Sequence, residues 1–104
     1  MVQELANKGD FDEAIKGNQL VVVDFHAQWC PPCKMIAPKY VELAGETEGV
    51  SFFKVDVDQN RDASEACGIR AMPTFQFYKN GEKVDEMRGA DLEGLKSKVA
   101  ALKA

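Results

Sequence analysis

The run Leu20-Val21-Val22-Val23-Asp24-Phe25 is apolar at every position but one, and half of it is valine. A strand of that composition has no alternating polar face to turn toward water, so it must be covered on both sides. Residues 20–27 therefore predict a strand at the centre of a sheet, with helices above and below it.

The flanking segments supply those layers. Asp10 and Glu13 have the form of a capping box opening a short helix through Phe11, Ala14 and Ile15, with Gly17-Asn18 as its stop. After the strand, Met35, Ile36, Val41 and Leu43 keep a helical spacing from Pro32 to about Gly45, and Pro38 inside that pattern predicts a kink. Phe52 to Val57 reads as a second apolar strand, and Arg61 to Cys67 as a short polar helix ended by Gly68. Thr74 to Tyr78 is a β-rich segment, and Asn80-Gly81 is a hairpin signal leading into an antiparallel strand from Lys83 to Met87. Asp91 caps a last helix with Leu92, Leu95, Val99 and Leu102 on one stripe. Strands alternating with helices, then a hairpin and a final helix, predict an α/β fold with a central mixed β-sheet flanked by helices on both faces. A length of 104 residues predicts one domain, 1–104, without repeats or linkers.

Charge and hydropathy exclude several functions. Thirteen basic against seventeen acidic residues leave a net charge of -4, with no basic surplus to neutralise phosphates, so nucleic acid is not an expected partner. No apolar stretch approaches the ~20 residues of a membrane helix. The segment Met1 to Leu5 lacks the pattern of a secretory signal, which predicts a soluble, cytoplasmic protein. Three cysteines, two of them three positions apart, do not form the even, dispersed set of a secreted disulfide scaffold.

Cys30-Pro31-Pro32-Cys33 sits where the buried strand gives way to a helix. Unpaired backbone N–H groups and the helix dipole favour negative charge there, which lowers the thiol pKa and makes Cys30 the expected nucleophile. Cysteines three apart on a helical turn lie close to disulfide distance, so the pair is able to cycle between dithiol and disulfide. Cys33 would then resolve a mixed disulfide between Cys30 and a substrate. Cys67 and His26 formally complete a Cys3His zinc set, but two prolines stiffen the loop and no second closely spaced ligand pair exists.

Asp24 interrupts the buried strand, where an unpaired carboxylate is costly and its pKa rises toward neutrality. Such a group is a suitable base for the Cys33 proton, through water. Lys54 interrupts Phe52-Phe53-Lys54-Val55 in the same way and could pair with Asp24 on a neighbouring strand; both could equally be charges on a solvated face. Trp29 reads as a core aromatic or as an apolar lip for substrate. Cys67 reads as a small buried hydrophobe, and His26 receives no role.

Val21 to Phe25, Ala27, Trp29-Cys30, Pro32 to Ile36, Pro38, Lys54 to Asp58, Met72 to Phe75 and Gly89 together resemble the thioredoxin family over nearly the whole chain. The resemblance implies the thioredoxin fold, a nucleophilic Cys30, a resolving Cys33, and Asp24 and Lys54 assisting proton transfer. It also implies a cis Met72-Pro73 bond, beside which an extended substrate segment adds as a strand, bordered by Trp29, Pro31, Met72, Pro73, Gly89 and Ala90. No bound cofactor is implied. Electrons would come from NADPH through thioredoxin reductase, and disulfide-containing proteins would be the substrates. A monomer is expected, with an oxidative dimer through Cys67 as a variant state. The family usually has glycine where this chain has Pro31, which predicts a shifted redox potential with catalysis retained. A disulfide oxidase or isomerase of the same fold, and a redox-inactive binding module, are the alternatives to a protein-disulfide reductase.

Overall fold

A computed structural model describes residues 2–103. The order of elements is β1 (Val2–Glu4), α1 (Lys8–Ala14), β2 (Leu20–His26), α2 (Pro31–Glu46), β3 (Val50–Asp56), α3 (Arg61–Ala66), β4 (Thr74–Lys79), β5 (Glu82–Arg88) and α4 (Leu92–Lys103). The strands form one mixed sheet in the order β1-β3-β2-β4-β5. The first three run parallel, whereas β4 is antiparallel to β2 and β5 to β4. β2 is central, as its apolar run requires.

Alternation along β2 divides the core in two. Leu20 and Val22 face α2 and α4, packing with Ile36, Tyr40, Phe75 and Leu95. Val21, Val23 and Phe25 face α1 and α3, packing with Phe11, Val55 and Ala63. Each large apolar side chain removed from water in this way contributes about 1.5–3 kcal/mol. Burial selects only part of the apolar pattern of α2. Ile36 and Leu43 point inward with Cys33, Tyr40 and Ala44, but Met35 is 69% exposed and Val41 is also exposed. Pro38 lies inside α2, which continues past it to Glu46.

Two local expectations are corrected. The N-cap of α1 is Asn7, whose side chain accepts from the Asp10 N–H at 2.8 Å, so Asp10 lies in the first turn instead of opening it. An acidic group there still suits the positive end of the helix dipole. The helix also ends at Ala14, ahead of Gly17-Asn18, because the next carbonyls turn to the hairpin: Gly17 O accepts from Asn80 N–H and Ile15 O from Gly81 N–H. The second is β1, a strand that the sequence does not predict. Three residues carry no periodic signal of their own. They become a strand by pairing Val2, Gln3 and Glu4 with Phe52, Phe53 and Lys54 on β3.

The β4–β5 hairpin turns through Asn80 and Gly81, at φ 55° and 82°. A two-residue turn of the hand that matches strand twist needs positive φ at both central positions, which these residues tolerate. α4 starts where Asp91 accepts the Gly94 N–H at 3.0 Å, as its capping role requires.

Candidate active site

Cys30 is the N-cap residue of α2, with extended backbone and Pro31 and Pro32 in the first turn. Its sulfur accepts the Cys33 N–H at 3.2 Å, so a helix-terminal donor lies against the atom expected to carry negative charge. Cys30 and Cys33 are joined in a disulfide with a Cα–Cα distance of 5.3 Å. The pair packs with Ala27, Val57 and Met72 in a small apolar cluster beyond the end of the central strand.

Among the residues expected at the rim, Met72 contacts the Cys30–Cys33 pair. The Met72-Pro73 peptide is cis, and the Met72 carbonyl lies 3.6 Å from Cys30 Sγ. The Gly89 N–H donates to the Pro73 carbonyl at 2.9 Å, which brings the end of β5 alongside, and Ala90 follows it, partly buried on the core. Pro31 is exposed at the start of α2. Trp29 is 63% exposed, and its Nε1 donates to Asp58 at 2.8 Å. The indole is thus tethered at the surface and not part of the core.

Behind the disulfide, Asp24, Lys54 and Cys33 line one cavity of about 290 Å³, together with His26 and Tyr40. Asp24 is 3% exposed and its Oδ1 has no hydrogen-bond partner among the described residues. Burial pushes its carboxyl up to about 7, against the downward pull of Lys54. A group of that proton affinity changes charge near neutral pH, as a general base for a thiol must. Asp24 and Lys54 are register partners on β2 and β3, so they are neighbours as the sequence suggested. They do not form the direct ion pair, since Lys54 Nζ is 3.9 Å from Glu4 Oε1.

Nothing in the sequence places Glu4 or Tyr40 at this site, and nothing there gives His26 or Asp58 a role in it. Glu4 had no visible place because β1 carried no strand signal, and His26 gave no hint of its neighbours. His26 Nε2 is buried 3.5 Å from Glu4 Oε2 without a hydrogen bond. Tyr40 Oη lies 2.8 Å from the Phe53 carbonyl and 3.2 Å from that of Val22. Its one proton serves the strands and is not free for Asp24. Cys67 packs away from the other cysteines, in the cluster on the α1–α3 face, 3.5 Å from Tyr78 Oη. Among the described residues no helix is long and apolar enough to cross a membrane.

The family model for thioredoxin matches residues 2–101. The chain is 54% identical to the thioredoxin of Geodia cydonium over 102 residues, which is 95% of this chain and 96% of the relative. It is 45% identical to the thioredoxin of Homo sapiens over 104 residues, covering 98% of this chain and 99% of that one. The X-ray structure of Fasciola hepatica thioredoxin superposes with a TM-score of 0.94 at 45% identity, over 97% of this chain and 99% of that structure.

Proposed function

The chain belongs to the thioredoxin family, and on that premise we propose the course by which it does its work. It is a thiol–disulfide oxidoreductase that reduces protein disulfides through the Cys30–Cys33 dithiol. In the course we propose, Cys30 attacks as thiolate on one sulfur of a substrate disulfide, forming a mixed disulfide and expelling the first substrate thiolate. Cys33 then gives its proton to the Asp24 carboxylate, through water in the shared cavity, and attacks Cys30 Sγ. The second substrate thiolate leaves, both substrate thiolates take up protons, and the Cys30–Cys33 disulfide remains. The observation that supports this order is the position of Cys30 Sγ at the helix N-cap, with the Cys33 N–H donated to it.

Trp29, Pro31, Met72, Pro73, Gly89 and Ala90 form the docking rim in this reading, and Lys54 tunes Asp24 from the neighbouring strand. Two electrons and one proton from the hydride of NADPH, delivered by a thioredoxin reductase, and a second proton from solvent restore the dithiol, with no cofactor bound to the chain itself. We further propose a cytoplasmic, single-domain monomer. A dimer through Cys67 would need that half-buried thiol to leave its place beside Tyr78.

Turnover of insulin with NADPH and a thioredoxin reductase tests the electron path, since a pure binding module would consume no NADPH. In the same system Cys33→Ser should accumulate mixed disulfides with insulin, and Cys30→Ser should accumulate none. Trapping by Cys30→Ser alone would reverse the assigned roles.

A further inference from the structure

Sheet register lays Glu4 of β1 beside Lys54 of β3, and Lys54 beside Asp24 of β2. Three side chains of alternating sign thus form a row across neighbouring strands, beside the cavity that α2 covers. Glu4 holds the outer end. Its Oε2 accepts the Asp56 N–H at 2.9 Å and lies 3.5 Å from His26 Nε2, while Oε1 is 3.9 Å from Lys54 Nζ. The inner end is the Asp24 carboxylate, with one buried oxygen lacking a partner.

We propose that Glu4 is a positioning residue for the thiol chemistry: anchored on the Asp56 N–H, it draws Lys54 to the outer rim of the cavity and withholds that ammonium from Asp24. The inference rests on the reading that Asp24 exchanges a proton with Cys33. A lysine free to turn inward would neutralise Asp24 at short range and leave it a permanently ionised, poor base. Glu4 also acts directly, because its negative charge raises the proton affinity of Asp24 while Lys54 lowers it. Both effects of Glu4 have the same sign.

The other groups facing Asp24 do not replace this control. From α2 come Cys33, Lys34 and Tyr40, whose phenol is engaged with the strand carbonyls. On its own strand His26 lies next along the same face, within reach of Glu4. β4 contributes Phe75 as the register partner, and α4 contributes Leu95 and Val99 to that core, none of them charged.

The test is a 13C NMR titration of the Asp24 carboxyl in the reduced protein, with Glu4→Gln as the variant. The amide oxygen of glutamine can still accept the Asp56 N–H, so the pairing of β1 is kept while the charge is lost. The Asp24 midpoint should fall by about half a pH unit or more. The pH profile of the Cys33 resolving step, followed by fluorescence of the single tryptophan beside Cys30, should move to lower pH with it. In a Lys54→Met background the shift on Glu4→Gln should shrink by about half or more, because Glu4 acts largely through Lys54. That dependence also separates positioning from a loss of fold. An unshifted or raised midpoint in Glu4→Gln, or a shift of full size without Lys54, overturns the proposal. Asp24→Asn tells the two readings apart. If it leaves the resolving step and its pH profile unaltered, the role of Asp24 falls and this inference with it. If it slows that step while Glu4→Gln leaves the midpoint in place, only this inference falls.

Discussion

Asp24 and Lys54 face each other in register on adjacent parallel strands, yet the lysine ammonium lies 3.9 Å from Glu4 and the Asp24 Oδ1 is buried without a hydrogen-bond partner among the described residues. An acid so placed acts on stability. Its pKa is raised from 3.8 to about 7 in the folded chain. Between those values the unfolded chain has lost the proton and the folded chain still holds it, so stability falls as pH rises and levels off above about pH 7. At 1.36 kcal/mol per unit, the span amounts to about 4 kcal/mol.

Asp24→Asn should remove that slope. Urea unfolding of the oxidised protein should show the natural chain losing stability from about pH 4 to pH 7 while the variant does not. The variant should therefore be the more stable of the two at about pH 8. Parallel curves through the whole range would mean that Asp24 does not hold a proton in the fold.

Tyr40→Phe isolates a structural bond next to the same cavity. The ring would keep its packing against Phe52 and Phe75, with centroids 5.6 and 5.5 Å away. What disappears is the hydroxyl donated to the part-buried Phe53 carbonyl at 2.8 Å. The expected cost is about 1–2 kcal/mol in urea unfolding, with insulin reduction nearly unchanged. A large loss of activity at normal stability would instead give the phenol a part in proton transfer.

Where one side chain's own chemistry settled its place, the sequence was a sufficient guide. The run of β2, apolar but for Asp24, could only be central, and Asn80-Gly81 could only turn a hairpin of the observed hand. Cys30 at a strand-to-helix junction already implied a sulfur at a helix terminus. What stayed hidden depends on long-range register. Nothing in Val2-Gln3-Glu4 announces a strand, so nothing announced that Glu4 would reach His26, or Lys54 and the N–H of Asp56 across fifty residues or more of chain. The exposure of Trp29 was likewise undecidable until Asp58 was seen to hold its indole outward.

Pro31→Gly probes the departure from the usual family motif. With prolines at both 31 and 32, the first N–H of α2 belongs to Cys33, and it is already donated to Cys30 Sγ. Glycine at 31 restores one donor near the sulfur and loosens the loop, and both changes favour the dithiol over the disulfide. The potential should become less negative by about 20 mV, equivalent to about 1 kcal/mol, and the fold should lose about 0.4–1 kcal/mol through the freer unfolded chain. Equilibration with glutathione buffers measures the first. A potential unchanged or more negative would show that residue 31 does not limit stabilisation of the thiolate.

Cys67 should react more slowly than Cys30 in the reduced protein. Burial raises its pKa and outweighs the contact with Tyr78, which pulls the other way. Ionising Cys67 would place charge in a half-buried site, so little thiolate exists at neutral pH. Cys30 has the opposite setting, at a helix N-cap with an N–H on its sulfur. Brief iodoacetamide treatment at about pH 7, followed by peptide mass spectrometry, should find residue 30 modified well before residue 67. The same inertness predicts that mild peroxide closes the Cys30–Cys33 disulfide before any dimer linked through Cys67 appears on a non-reducing gel, and that partial denaturation with urea speeds the dimer. Equal alkylation of the two residues in the native protein would mean that α3 ends loosely and leaves this thiol open to solvent.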